Sequence, residues 1–235
     1  MKKTDLIFSL GPNCKNAWNI RDYFKVDRAY PFDWWITPAK SMLKMIESGF
    51  EFDVKRDDLH ITPTNEHNTV YNYKLNLLHH HDFTRVWGEH PGVVFEVSDD
   101  EIEKVNSKYR HLFKRLADDL AQAAHPIAVL NWSYSGWPNE YKGIPTNAAL
   151  NGFMPPDQLA REIRDRLGKK LRIAFIAIGE PLHEEHEWGC IVRRPDLGER
   201  ENIKGADYAE PIHVFRQAYD MLNFSLDDDS LQASR

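Results

Sequence analysis

"DLIFSLGPNCKNAWNIRDYF", Asp5 to Phe24, decides the fold class. "DLIFSL" carries a short apolar run of the kind that fills a strand buried on both faces. Gly11-Pro12-Asn13 breaks it. Beyond the break, Cys14, Ala17, Trp18, Arg21 and Phe24 recur at three- and four-residue steps, which predicts a helix with Asn13 as its N-cap. A buried strand, a tight break and a helix in immediate succession form the opening unit of an α/β sheet.

The pattern repeats downstream. Thr37 as N-cap, Pro38 at the first helical position and Gly49 just past the end frame a second helix. Ser98 and Glu101 form a capping box before a long helix with an apolar stripe of Ile102, Val105, Tyr109, Leu112, Phe113, Leu116 and Leu120, closed by Pro126. "IAVLNW" and "LRIAFIAIG" read as buried strands around a helix that starts at Pro156 and ends at Gly168, and "HVFRQAYDMLNF" reads as a last helix. The expectation is a single α/β domain over residues 1–235, with a Rossmann-like or flavodoxin-like core of mainly parallel strands flanked by helices. Residues 51–96 depart from this and predict a mixed antiparallel insertion. Within it "TVYNYKLNLL" alternates Tyr71, Tyr73, Leu75 and Leu77 against Asn72, Lys74 and Asn76 as one half-buried strand, and "GVVFEV" is a second strand. Residues 225–235 predict a frayed acidic tail. Ligands of such sheets bind beyond the carboxyl ends of the strands, so "GPNC", "NWSYSGW" and "GEPLHEEH" are expected on one rim.

Bulk properties narrow the function classes. The 235-residue chain has a formal net charge of -6 and no basic stripe, which argues against nucleic acid and anionic membranes as partners. Its two cysteines lie far apart and make no disulfide framework. Asp5 interrupts the first apolar run and Gly11 ends it too early for a signal segment, and no run approaches the roughly 20 residues of a membrane helix. A cytoplasmic protein is the expectation. The glycines form neither G-x-G-x-x-G nor a P-loop, so no cofactor is expected.

Cys14 falls at the first turn of its helix, where unpaired N–H groups and the helix dipole favour thiolate over thiol. The competing reading is a small apolar residue packed beneath the helix. A nucleophilic thiol needs a base, and "LLHHHDF" offers His79, His80 and His81. In an extended segment neighbours face opposite ways, so Asp82 is poorly placed to orient His81, and Asp33 of "PFDWW" is the candidate carboxylate. A solvated histidine loop is the alternative. Metal chemistry competes too. His79, His80 and His81 with His60, His67 or His90 are one possible ligand set, and His183, His186 and Cys190 with Glu184 or Glu185 are another, although neither matches a known zinc pattern. Trp34, Trp132 and Trp137 sit in polar aromatic loops suited to stacking on a sugar ring, lining a peptide groove, or packing in the core.

"FSLGPNCKNAWNIRDYF", "AYPFDWWITP", "GFEFD", "HHHDF" and "NSKYRHLFKRLADDL" occur in an order that resembles the bacterial DUF1796 family, labelled papain-like cysteine peptidases. The resemblance runs from about Ile7 to Trp132 and more loosely beyond. It implies Cys14 as nucleophile and His81 as proton carrier, with Asp33 and Arg21 matching further family positions. The implied chemistry is acyl transfer, with helix-start N–H groups next to Asn13 holding the oxyanion, on a small-molecule, peptide or glycan substrate. The order Cys then His is the papain-like one. The alternating strands and helices are closer to an SGNH-type or flavodoxin-like hydrolase rim than to a papain fold. Family members often lie beside cell-surface polysaccharide genes, which implies a second reading: a carbohydrate-binding or glycosyl-transfer protein without a catalytic thiol. The sequence leaves the oligomeric state open.

Overall fold

The computed structural model describes residues 2–62, 68–86, 92–132, 154–202 and 209–226. The first half of the chain supplies β1 (Lys2–Thr4), β2 (Leu6–Ser9), α1 (Cys14–Phe24), α2 (Ala39–Glu47), β3 (Leu59–Ile61), β4 (Val70–Asn72), β5 (Leu77–His79) and α3 (Asp99–Gln122). Then come β6 (Pro126–Asn131), α4 (Pro156–Leu167), β7 (Arg172–Ile178), β8 (Leu182–His186), β9 (Gly189–Arg194), β10 (Glu201–Asn202), β11 (Ala209–Glu210), α5 (Ile212–Leu222) and β12 (Phe224–Leu226). The result is a mixed α/β structure.

Its main sheet has five strands in the order β2-β6-β7-β9-β8, parallel from β2 to β9 and antiparallel at β8. The period-two rule divides its side chains cleanly. Ile7, Ile127, Val129, Ala174, Ile176, Cys190 and Val192 pack with Ile20 and Phe24 of α1 and Phe215, Ala218 and Tyr219 of α5. Phe8, Ala128, Leu130, Ile173 and Phe175 face the other way, into the larger core with α2, α3 and α4. Helices therefore cover both faces, as a sheet of near-continuous apolar strands requires.

The helices follow their sequence signals closely. Ser98 Oγ accepts the Glu101 N–H while the Glu101 carboxylate accepts the Ser98 N–H, so the predicted capping box opens α3. Gly168 ends α4 with φ +110, and Gly49 follows α2 with φ +68, conformations that favour glycine. The start of α2 differs by one position. Pro38 is its N-cap, and Thr37 instead turns its N–H onto the Pro12 carbonyl at 2.8 Å.

The insertion differs from the expected single strand. "TVYNYKLNLL" is two strands, β4 and β5, paired antiparallel in the sheet β3-β4-β5. Asn76 enters the left-handed region at φ 53, and Asn72 Oδ1 accepts the Leu75 N–H at 2.8 Å, which turns the chain. Tyr71 and Leu77 are buried, while Tyr73 is exposed at the turn. "GVVFEV" contributes one bridge, Val93 to Val86, and Phe95 lies exposed. On the expected rim, β2, β6 and β7 do end together, and the Asn131 N–H donates to Gly11 O at 3.1 Å. "GEPLHEEH" leaves that rim, because β8 runs back along the sheet. No helix among the described residues is long and apolar enough to cross a membrane.

The buried Asn16 fixes the turn after β2. Its amide nitrogen donates to Ser9 Oγ at 2.9 Å and to Val129 O at 2.7 Å, tying α1 to two strand ends. Asn16→Ala is expected to lower unfolding free energy by about 1–3 kcal/mol. Urea titration checks this, and an unchanged midpoint contradicts it.

Candidate functional site

Backbone pairings join three sequence-distant segments at the rim. Thr37 N–H to Pro12 O connects the "PFDWWIT" segment to the loop before Cys14. Ile36 and Leu78 exchange both backbone bonds, at 3.2 and 3.0 Å, which joins the same segment to β5 and the histidine run. The "PFDWWIT" segment thus sits between the cysteine loop and the histidines.

Adjacent tryptophans in that segment face opposite ways. Trp34 is half-buried and faces α1 and the turn after β5. Its ring meets Trp18 edge-on at 5.4 Å and His81 edge-on at 5.6 Å, and the Arg21 guanidinium lies 5.0 Å over its centroid. Cys14, Trp18 and Arg21 are spaced for one face of α1, and all three are half-buried. Trp34 therefore spans from the Cys14 face of the helix to His81. Cys14 heads α1, behind an Asn13 of extended backbone whose side chain makes no capping bond and whose buried Oδ1 has no hydrogen-bond partner among the described residues. His81 as a whole is exposed, but the groups packed around its ring partly desolvate it, and this desolvation, reinforced by Arg85 and Lys108 against the opposing pull of Asp82, holds its pKa below the usual value.

Asp33 is buried and engaged elsewhere than with an imidazole. Its Oδ2 accepts Arg21 Nη2 and the Tyr30 N–H, each at 2.9 Å. Burial pushes its pKa up from 3.8 to about 6, against the lowering effects of the Tyr30 N–H and the Arg21 charge.

The carboxylate that does bind the histidine run is Asp82. The segment after β5 is a turn, not an extended strand, so positions 79 and 82 meet. Asp82 Oδ2 lies 2.9 Å from His79 Nδ1, and since a carboxylate only accepts, Nδ1 carries the proton. Trp35 Nε1 donates at 3.0 Å, Tyr109 Oη at 2.8 Å and Lys108 Nζ at 2.7 Å. Burial alone would raise the Asp82 pKa, but the bond and charge of His79 and the Lys108 ammonium outweigh it and hold the group well below the usual carboxylate range. The Trp35 ring stacks on Tyr109 at 4.0 Å and on Phe52 at 5.3 Å, and His79 packs edge-on to Trp35. His79 is thus a core residue, while His81 lies beside Trp34. Arg85 reinforces the turn by donating to the His80 carbonyl at 3.0 Å.

The other expected positions separate from this cluster. Trp132 follows β6 on the rim and packs edge-on against Phe175 at 5.3 Å, at the margin of the core. Trp137 lies outside the described residues, as do His67 and His90. His183 and His186 sit three apart on β8, a strand, so they point to opposite faces, and Cys190 is buried in the core. Among the described residues no three His, Cys, Asp or Glu side chains are grouped to hold a metal.

A mixed α/β sheet that carries a cysteine-headed helix beside a histidine turn is the class defined here. The family model described as "Putative papain-like cysteine peptidase (DUF1796)" matches residues 5–135, and the chain belongs to that family. The matched span contains Cys14, Arg21, Asp33, His81 and Asp82. No curated protein and no solved structure matches the chain.

The two buried carboxylates give opposite pH signatures. The fold favours protonated Asp33, so that contribution is full below 3.8 and is lost as pH rises through about 6. The fold favours ionised Asp82, so that contribution is present above 3.8 and is lost as pH falls toward its depressed value. Asp82→Asn is expected to cost about 3–5 kcal/mol near neutral pH by breaking a buried pair. Asp33→Asn is expected to flatten the stability loss between 3.8 and about 6. Urea titrations across pH check both, and slopes unchanged from wild type contradict them.

Proposed function

We propose that this protein is a cysteine-dependent acyl hydrolase or acyltransferase with Cys14 as nucleophile and His81 as proton carrier. The observation that carries the reading is Trp34, which touches both His81 and the side chains that share the Cys14 face of α1. Family membership points to the same chemistry. The depressed His81 pKa supports it, because the imidazole is then neutral near pH 7 and free to accept a proton.

In this reading His81 takes the Cys14 proton and the thiolate attacks the substrate carbonyl carbon. The C–N or C–O bond to the leaving group breaks, and His81 returns the proton to the departing nitrogen or oxygen. The resulting thioester is cleaved by water, whose proton His81 accepts, or by an acceptor nucleophile, and the thiol is regenerated. The first-turn N–H groups of α1 face the developing oxyanion. Asp82 acts through the fold: it anchors His79 and so fixes the turn on which His81 rides.

Iodoacetamide alkylation at pH 7, mapped by mass spectrometry, tests this. Cys14 in the native protein is expected to react faster than Cys14 in the urea-unfolded chain, although a half-buried thiol without activation reacts more slowly. His81→Ala is expected to remove that advantage. A native rate no higher than the unfolded one, or an advantage that survives in His81→Ala, overturns the assignment.

A further inference from the structure

We infer that Arg21 is a built receptor for a substrate carboxylate, placed along α1 from Cys14. The guanidinium is fixed on two sides: Nη2 is held by the buried Asp33 at 2.9 Å, and Cζ lies 5.0 Å from the centroid of the Trp34 ring. Asp33 is itself pinned by the Tyr30 N–H, so neither support moves freely. Among the described residues Nε and Nη1 have no hydrogen-bond partner.

Arg21 borders a cavity of about 640 Å³ that also takes in Trp18, Val26 and Ile212. The other guanidinium there is already used: Arg216 Nη1 binds both Glu201 carboxylate oxygens at 3.0 and 2.9 Å, and its Nη2 binds Asp22 at 3.2 Å. Lys25 and Asp27 add one charge of each sign. The fork with spare donors is therefore Arg21, beside an aromatic and aliphatic wall. A planar, pre-oriented guanidinium pairs best with a planar oxyanion, and a carboxylate joined to an apolar group fits both the fork and the wall.

Spacing sets the substrate class. Cys14 and Arg21 lie two helical turns apart, about 10 Å along the axis. Extended peptide covers about 3.4 Å per residue, so the carboxylate falls about three residues from the bond under attack. The ligand is a peptide or peptide-like acyl compound with a free carboxylate at that distance. The placement of the bond rests on the Cys14 reading; the carboxylate receptor does not.

Calorimetric titration of the full-length Cys14→Ala protein, which binds without turnover, tests the receptor. The probes are N-acetyl-tetraalanine as the free acid, its C-terminal amide, and an amide with glutamate as last residue. The free acid is expected to bind at least about ten-fold more tightly than the alanine amide, and Arg21→Lys, which keeps the charge but loses the fork, is expected to abolish the preference. Equal gain from the glutamate amide assigns recognition to any carboxylate at that place; gain from the free acid alone assigns it to a chain terminus. Absence of binding, indifference to both carboxylates, or a preference that persists in Arg21→Lys overturns the proposal. Failure of Cys14 activation in the alkylation experiment would leave this binding result standing, which keeps the two claims separable.

Discussion

The site depends on one buried charge. The Asp82 side chain is fully removed from solvent and accepts hydrogen bonds from Trp35, His79, Lys108 and Tyr109. An isolated carboxylate in such a place is untenable, and it is kept ionised by several donors and a neighbouring ammonium. Those donors come from three segments that are remote in sequence: the loop before α2, the end of β5, and the middle of α3. Satisfying Asp82 thus requires all three to dock together, which makes the geometry of the histidine turn a property of the core.

From that constraint follows a division between inside and outside. Trp35 and His79 point toward Asp82 and the aromatic cluster of Phe52, Tyr109 and Phe113. Trp34, next to Trp35, and His81, two residues past His79, are left to meet each other on the opposite side, where Trp34 also meets α1. Asp33 does for Arg21 what Asp82 does for His79: a buried carboxylate sets the direction of a polar side chain. The two carboxylates differ in how well they are compensated. Asp82 has a full set of donors and a depressed pKa, whereas Asp33 has fewer and titrates near 6.

Much of the frame was legible in the residues. α1, α3 and α4 were readable because helix periodicity, a capping box and a terminal glycine are local signals that packing did not override. The parallel strands were readable as short apolar runs. What was lost depended on turns. Alternation ran through Tyr73 and Leu75 as though the strand continued, and nothing in the spacing marked Asn76 as the left-handed residue that folds it back. The same turn hid the role of Asp82: in an extended chain it faces away from His79 and His81, while in a turn it reaches His79, three positions back. The sequence pattern offers Asp33 as the carboxylate that orients the histidine, but its partner is a guanidinium, a choice set by the approach of α1 that no local pattern records. Tyr109 and Lys108 were visible only as a core position and its solvent-side neighbour on α3.

The central claim is that the turn held by Asp82 presents His81 to the thiol of Cys14. The most direct measurement is the NMR titration of the His81 imidazole before and after carboxamidomethylation of Cys14. If the two groups share a site, carboxamidomethylation of the Cys14 sulfur changes the solvation and hydrogen bonding of the imidazole, and the His81 pKa shifts on alkylation. A His81 titration identical in the free and alkylated protein contradicts the account.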